Sequence, residues 1–153
     1  MAIIRGFEFP DHLFYLIEQD AWTFLEPDGL ATVGLTSLGC HISGEFMDFI
    51  PKPVGTDIER DRALALLEMS KTIRSVRAPV GGTIVAVNEE VKRQPGLLSG
   101  DPYGNGWLVR MKPADWEADI KFLASGQGLA ERVVRYMDLY LVPAFGTDKP
   151  GGS

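Results

Sequence analysis

The 153-residue chain has one cysteine, Cys40, and two histidines, His12 and His41. A single thiol excludes an internal disulfide and a thiolate metal cluster. Two imidazoles add little from which a metal site could be built, so no metal is expected. No apolar run approaches the roughly 20 residues that cross a bilayer, so no membrane partner is expected either. The opening Met1-Ala2-Ile3-Ile4-Arg5-Gly6 lacks the hydrophobic region of a secretory signal. These absences together point to the cytoplasm. Basic residues are in the minority, 15 Lys+Arg against 21 Asp+Glu, for a net charge of -6. A nucleic-acid binder would show a basic footprint, so that class is set aside. No internal period marks a repeat array.

What is present suffices for one domain: 45% of the residues are hydrophobic, ample for one core and thin for two. The domain is expected over residues 1–142, followed by a Gly- and Pro-rich tail, 143–153, expected to be disordered. Short β-type runs come first, at 13–17, 21–25 and 30–35, with the turn signal Pro27-Asp28-Gly29 before the third. Residues 36–44 are ambiguous, although Thr36 or Ser37 could cap a helical turn. Further strands are expected at 45–50, 63–69, 72–76, 83–87 and 107–111. The stretch 88–101 between them is polar and turn-rich. Many short strands with closely spaced turns predict a small β-sandwich or flattened barrel. Helical spacing then takes over at 114–123 and 129–140, where Val133, Val134, Met137 and Leu141 can share a face.

Between the strands expected at 63–69 and 72–76 lies Ser70-Lys71, which places Lys71 at a hairpin tip. A tip lysine with a rigid sheet behind it is what a covalently attached, swinging cofactor needs. It is exposed enough to enter a modifying enzyme and fixed enough to be recognised. Such an arm reaches roughly 14 Å when straight and tethers its cargo at high effective concentration. The plain alternative is an ordinary turn lysine. Arg60, Arg62, Arg74 and Arg77 lie near Lys71 in sequence, offset by Glu59, Asp61 and Glu68. A locally basic rim on an acidic chain suits a partner or cargo of negative charge; the alternative is a solvated face. Cys40-His41 invites a nucleophile reading, but sequence neighbours often point apart, and free cysteines are commonly inert core residues.

A wider pattern bears on Lys71. Thr32-Val33-Gly34-Leu35-Thr36, Gly44-Glu45, Val54-Gly55, Glu68 with Lys71, Pro79-Val80-Gly81-Gly82, Val87-Asn88-Glu89, Asp101-Pro102-Tyr103-Gly104 and Gly106-Trp107-Leu108 stand in order. In order and spacing this set resembles the glycine-cleavage H proteins, over roughly residues 12–140. The resemblance implies a mainly β, lipoyl-domain-like β-sandwich (a barrel-sandwich hybrid) with C-terminal helices. It implies lipoate in amide linkage to Lys71, and a carrier rather than an enzyme. Glu68 falls where an acidic residue helps the lipoate ligase or lipoyl-assembly enzymes recognise the tip; its alternative is a strand carboxylate paired with Arg74 or Lys71. The tip departs from the usual Glu-Ser-Val-Lys-Ala at Met69, Ser70 and Thr72. Asp101 to Trp107 reads as structural, with Tyr103 and Trp107 as packing anchors.

Two further departures bear on cargo. The family usually has an acid four residues after the lysine, where this chain has Ser75, and a polar or aromatic residue where it has Leu38. Losing an acid and keeping Arg74 and Arg77 suits an anionic sulfur cargo better than a cationic amine. The chain is in this respect similar to the lipoate-binding carriers of sulfur oxidation, which serve a heterodisulfide-reductase-like complex. That expectation is set ahead of its alternative, an H protein carrying an aminomethyl group among glycine decarboxylase, aminomethyltransferase and lipoamide dehydrogenase.

Overall fold

The computed structural model describes residues 1–145; the remainder of the expected tail, 146–153, lies outside them. An N-terminal hairpin, β1 (Ala2–Ile4) and β2 (Phe7–Phe9), was not legible from the alternation, because each strand has three residues. β3 (Phe14–Leu16) ends in a 3-10 turn at Ile17–Gln19, and β4 (Ala21–Leu25) and β5 (Ala31–Leu35) follow. The ambiguous segment is a helix, α1 (Ser37–Ser43), because Thr36 caps it: its side chain accepts from the Gly39 amide at 3.0 Å.

β6 (Phe46–Pro51), the two-residue β7 (Asp57–Ile58), β8 (Ala63–Met69), β9 (Ile73–Arg77) and β10 (Gly82–Val87) come next. The polar stretch holds two five-residue helices, α2 (Glu89–Arg93) and α3 (Gly96–Gly100). Asn88 starts the first by accepting from the Glu90 amide at 3.1 Å. β11 (Val109–Pro113) begins two residues later than the sequence pattern suggests. The helix expected over 114–123 is only α4 (Trp116–Asp119) with a 3-10 turn at Ile120–Phe122. α5 (Leu129–Leu139) matches the second helical pattern. It buries Leu129, Val133, Tyr136 and Met137. Leu141 is past the helix end, with a left-handed φ of 56° and 88% exposure, so it does not join that face.

Two antiparallel ladders stack. One has six strands in the order β3-β4-β5-β11-β10-β7, and the other has three, β6-β8-β9. Side chains from both, including Val33, Leu35, Val109 and Met111 on one side and Phe46, Phe49, Leu64, Leu67 and Val76 on the other, make one buried cluster. Period-2 alternation is the cause: along β8, Ala65, Leu67 and Met69 are buried while Leu66 and Glu68 face solvent, and the register shift between Ala63 and Ala65 lets Leu64 be buried as well. A second buried cluster joins Phe7, Phe9, Tyr15, Trp22 and Leu38 to Val133 and Met137 of α5. The architecture is thus a lipoyl-domain-like β-sandwich with C-terminal helices. Among the described residues, no helix is long and apolar enough to cross a membrane.

Candidate functional site

β8 and β9 form a hairpin whose register runs from Ala63 opposite Arg77 at the base to Glu68 opposite Ile73 near the tip. The Met69 amide closes the turn on the Thr72 carbonyl at 2.8 Å, leaving Ser70 and Lys71 at the apex. Ser70, Lys71 and Thr72 are all exposed. Among the described residues no ion pair engages the Lys71 ammonium. Its neighbours at the apex are small and hydroxylated, and β8 behind it is anchored in the core by Met69 and Leu67. An accessible amine on a fixed backbone is the arrangement that amide attachment of a lipoyl group requires, and these residues fit it.

Glu68 is exposed on the outer face of β8, with Asp48 across on β6 and Ile73 across on β9. Among the described residues it makes no ion pair, so the alternative of a carboxylate paired with Arg74 or Lys71 is not what the molecule adopts.

Arg74 corrects the expectation of a free basic rim. It is half-buried and committed to the fold, with Nη1 on Asp20 Oδ2 at 3.1 Å and on Ser43 Oγ at 3.0 Å, and Nη2 on the Gln19 carbonyl at 3.2 Å. Its charge is met by a buried carboxylate, which adjacency in sequence could not reveal. Arg77 is at the base of the hairpin, with Nη1 on the Asp61 carbonyl at 2.8 Å. Arg60 is committed elsewhere, 3.8 Å from Asp119 and stacked over the Phe122 ring. A cleft of about 440 Å³ runs from Thr72 along β9, lined also by Gln19, Ile42, Ser43, Met69, Arg74, Ser75 and Arg77. No carboxylate lines it.

Asp20 is the residue that sequence reading missed. Burial pushes its carboxyl above the ordinary carboxylate value, while Arg74 and the Tyr136 hydroxyl pull it back. Tyr136 of α5 donates to Oδ2 at 3.1 Å. Gly39 makes the close approach possible: a Cβ there would lie 2.4 Å from Asp20 Cβ. In the sequence it is the last residue of the polar Glu18-Gln19-Asp20 between two apolar runs, with nothing to set it apart from an exposed turn acid.

Cys40 is buried, with Sγ donating to the Leu98 carbonyl at 3.5 Å, and burial pushes its thiol up to about 12. The adjacent His41 turns its ring to Phe7 and Phe145 instead. Side chains and backbone of residues 101–107 are tied into the fold. Trp22 Nε1 donates to the Pro102 carbonyl at 3.1 Å, Asn88 Nδ2 reaches the Asn105 and Trp107 carbonyls at 2.8 and 2.7 Å, and Tyr103 donates to the Glu8 carbonyl at 2.6 Å.

The sequence matches the family model described as Glycine cleavage H-protein over residues 13–136. It is 37% identical over 134 residues to glycine cleavage system H protein 5 of Aquifex aeolicus, covering 86% of this chain and 90% of that one. It is 36% identical over 135 residues to probable glycine cleavage system H protein 2 of Saccharolobus solfataricus, covering 87% and 90%. The crystal structure of a glycine cleavage system H protein from Mycobacterium marinum superposes with a TM-score of 0.69 at 24% identity, covering 86% of this chain and 98% of that one. That last likeness bears on the fold.

Proposed function

The chain belongs to the glycine cleavage H-protein family and is a lipoyl carrier of that type, and from that premise we propose that Lys71 bears the arm and that its cargo is an aminomethyl group. The exposed Lys71 amine at the hairpin apex, engaged by no ion pair among the described residues, carries this reading. When attached, the lipoyl group supplies the disulfide–dithiol exchange chemistry. The chain's own residues supply placement. β8 and β9 hold the amine at a fixed point, and Glu68 offers an exposed carboxylate to the lipoate ligase or lipoyl-assembly enzyme. Working partners in this reading are glycine decarboxylase, aminomethyltransferase and lipoamide dehydrogenase, in the cytoplasm.

A second reading is favoured by the cleft beside the tip, which has two guanidinium groups and no carboxylate along its walls. That lining suits an anionic sulfur cargo and a heterodisulfide-reductase-like complex. The balancing of Arg74 by Asp20 weakens the charge argument for it, leaving Arg77 as its main support.

Intact-mass measurement of protein from its own host tests the arm: a lipoyl adduct mapped to Lys71 supports the reading, and an unmodified amine while the pathway runs removes it. Affinity capture with the lipoylated chain separates the cargoes. Recovery of aminomethyltransferase or glycine decarboxylase supports the first, and recovery of a heterodisulfide-reductase-like complex supports the second.

A further inference from the structure

The hairpin that carries Lys71 belongs to the smaller ladder, and β9 is an outer strand of it. Three residues past Lys71, Arg74 crosses to the other half of the molecule. One guanidinium reaches the 3-10 turn through the Gln19 carbonyl, the end of α1 through Ser43, and Asp20 just before β4. Through Asp20 Oδ2 it also reaches Tyr136 of α5. The site is built to receive it. Asp20 adopts a left-handed φ of 60°, its carbonyl accepts from the Thr36 amide at 2.8 Å, and it is 3% exposed. Oδ1 is buried with no hydrogen-bond partner among the described residues, so the carboxylate is held through one oxygen.

An ion pair with its carboxylate buried and its guanidinium half-buried is a poor stabiliser, since desolvation offsets most of the attraction; an apolar pair of similar volume often does as well. What a planar guanidinium with several fixed acceptors provides is direction. We propose that Arg74 and Asp20 are positioning residues for the lysine arm: together they fix the bearing of the hairpin tip, so that Lys71 meets its modifying enzyme in one orientation. The inference rests on the assignment of Lys71 as the attachment residue. Neither residue touches the modified amine; both act through β9.

The test uses the full-length unmodified chain, a lipoate ligase with free lipoate and ATP, and four proteins: wild type, Asp20→Asn, Arg74→Met and the double variant. Three quantities are read: thermal midpoint, amide exchange over residues 69–73, and the dependence of ligation rate on acceptor concentration. Each single variant strands one buried partner and loses stability; the double variant removes both charges and recovers most of it. All three variants nevertheless exchange faster at the tip and show a KM for the acceptor raised roughly tenfold, with kcat changed less. A fifth protein, Arg74→Lys, keeps the charge but not the fork, and shows the same raised KM. If the double variant regains wild-type exchange and KM along with its stability, the pair is only structural and the proposal is wrong. If wild type accepts no lipoyl group at residue 71, the attachment assignment fails instead, and tip exchange in the double variant still decides the positioning claim.

Discussion

Cys40 and Lys71 are both nucleophile types, and burial sorts them. Lys71 is exposed at an apex, whereas the Cys40 thiol is enclosed and pushed up to about 12. Native protein at neutral pH is therefore expected to react with iodoacetamide at least about a hundredfold more slowly than the denatured chain; equal rates by mass spectrometry would contradict the burial. Asp20 gives a pH signature. It is faced by Arg74 from β9, Tyr136 from α5 and Cys40 from α1, and the balance raises its carboxyl above the ordinary 3.8. The folded state holds that proton to higher pH than the unfolded chain. Its destabilising contribution is thus absent below 3.8 and grows as pH rises through the folded value, then levels off. Asp20→Asn is expected to lack this slope. Urea denaturation of both proteins from about pH 4 to about pH 8 checks it: parallel stability curves would remove the raised carboxyl. Neither feature was legible from neighbours in sequence, because both come from what packs around the side chain.

α1 is where local signals and packing agree. Thr36 is buried and its side chain satisfies the Gly39 amide, so Thr36→Ala is expected to cost about 1 kcal/mol in chemical denaturation. Gly39→Ala meets Asp20 Cβ at 2.4 Å and has no flexible side-chain end to displace. It is expected to cost about 1–3 kcal/mol and, by shifting Asp20, to loosen Arg74; faster tip exchange than in Thr36→Ala is the distinguishing result. Elements with a long repeat were readable, such as β8 with its alternating buried and exposed residues and α5 with its apolar stripe. α2 and α3 were not, because five residues are too few to display a helical period. α4 fell short of the expected helix because the chain tightens into a 3-10 turn at Ile120.

At the scale of the whole molecule, one buried cluster spans both ladders, so the halves are expected to unfold together. The tryptophans, Trp22, Trp107 and Trp116, all lie outside the β6-β8-β9 ladder. Their fluorescence should nevertheless share its midpoint with far-UV circular dichroism and with loss of protection in β8; separated midpoints would show independent halves. Lys71→Arg should leave the unfolding free energy from that transition unchanged within about 0.5 kcal/mol, since an exposed apex side chain buries little. The apex itself was readable in one dimension, because two apolar runs flank Ser70-Lys71 and period-2 alternation needs no distant partner. The destination of Arg74 was not. Asp20 is 54 positions away, and only the packing of α1, α5 and the 3-10 turn brings the two together. Counting charges along the chain assigns such an arginine to the surface. Three-dimensional packing makes it a half-buried tie, because a carboxylate, a hydroxyl and a carbonyl converge on its fork.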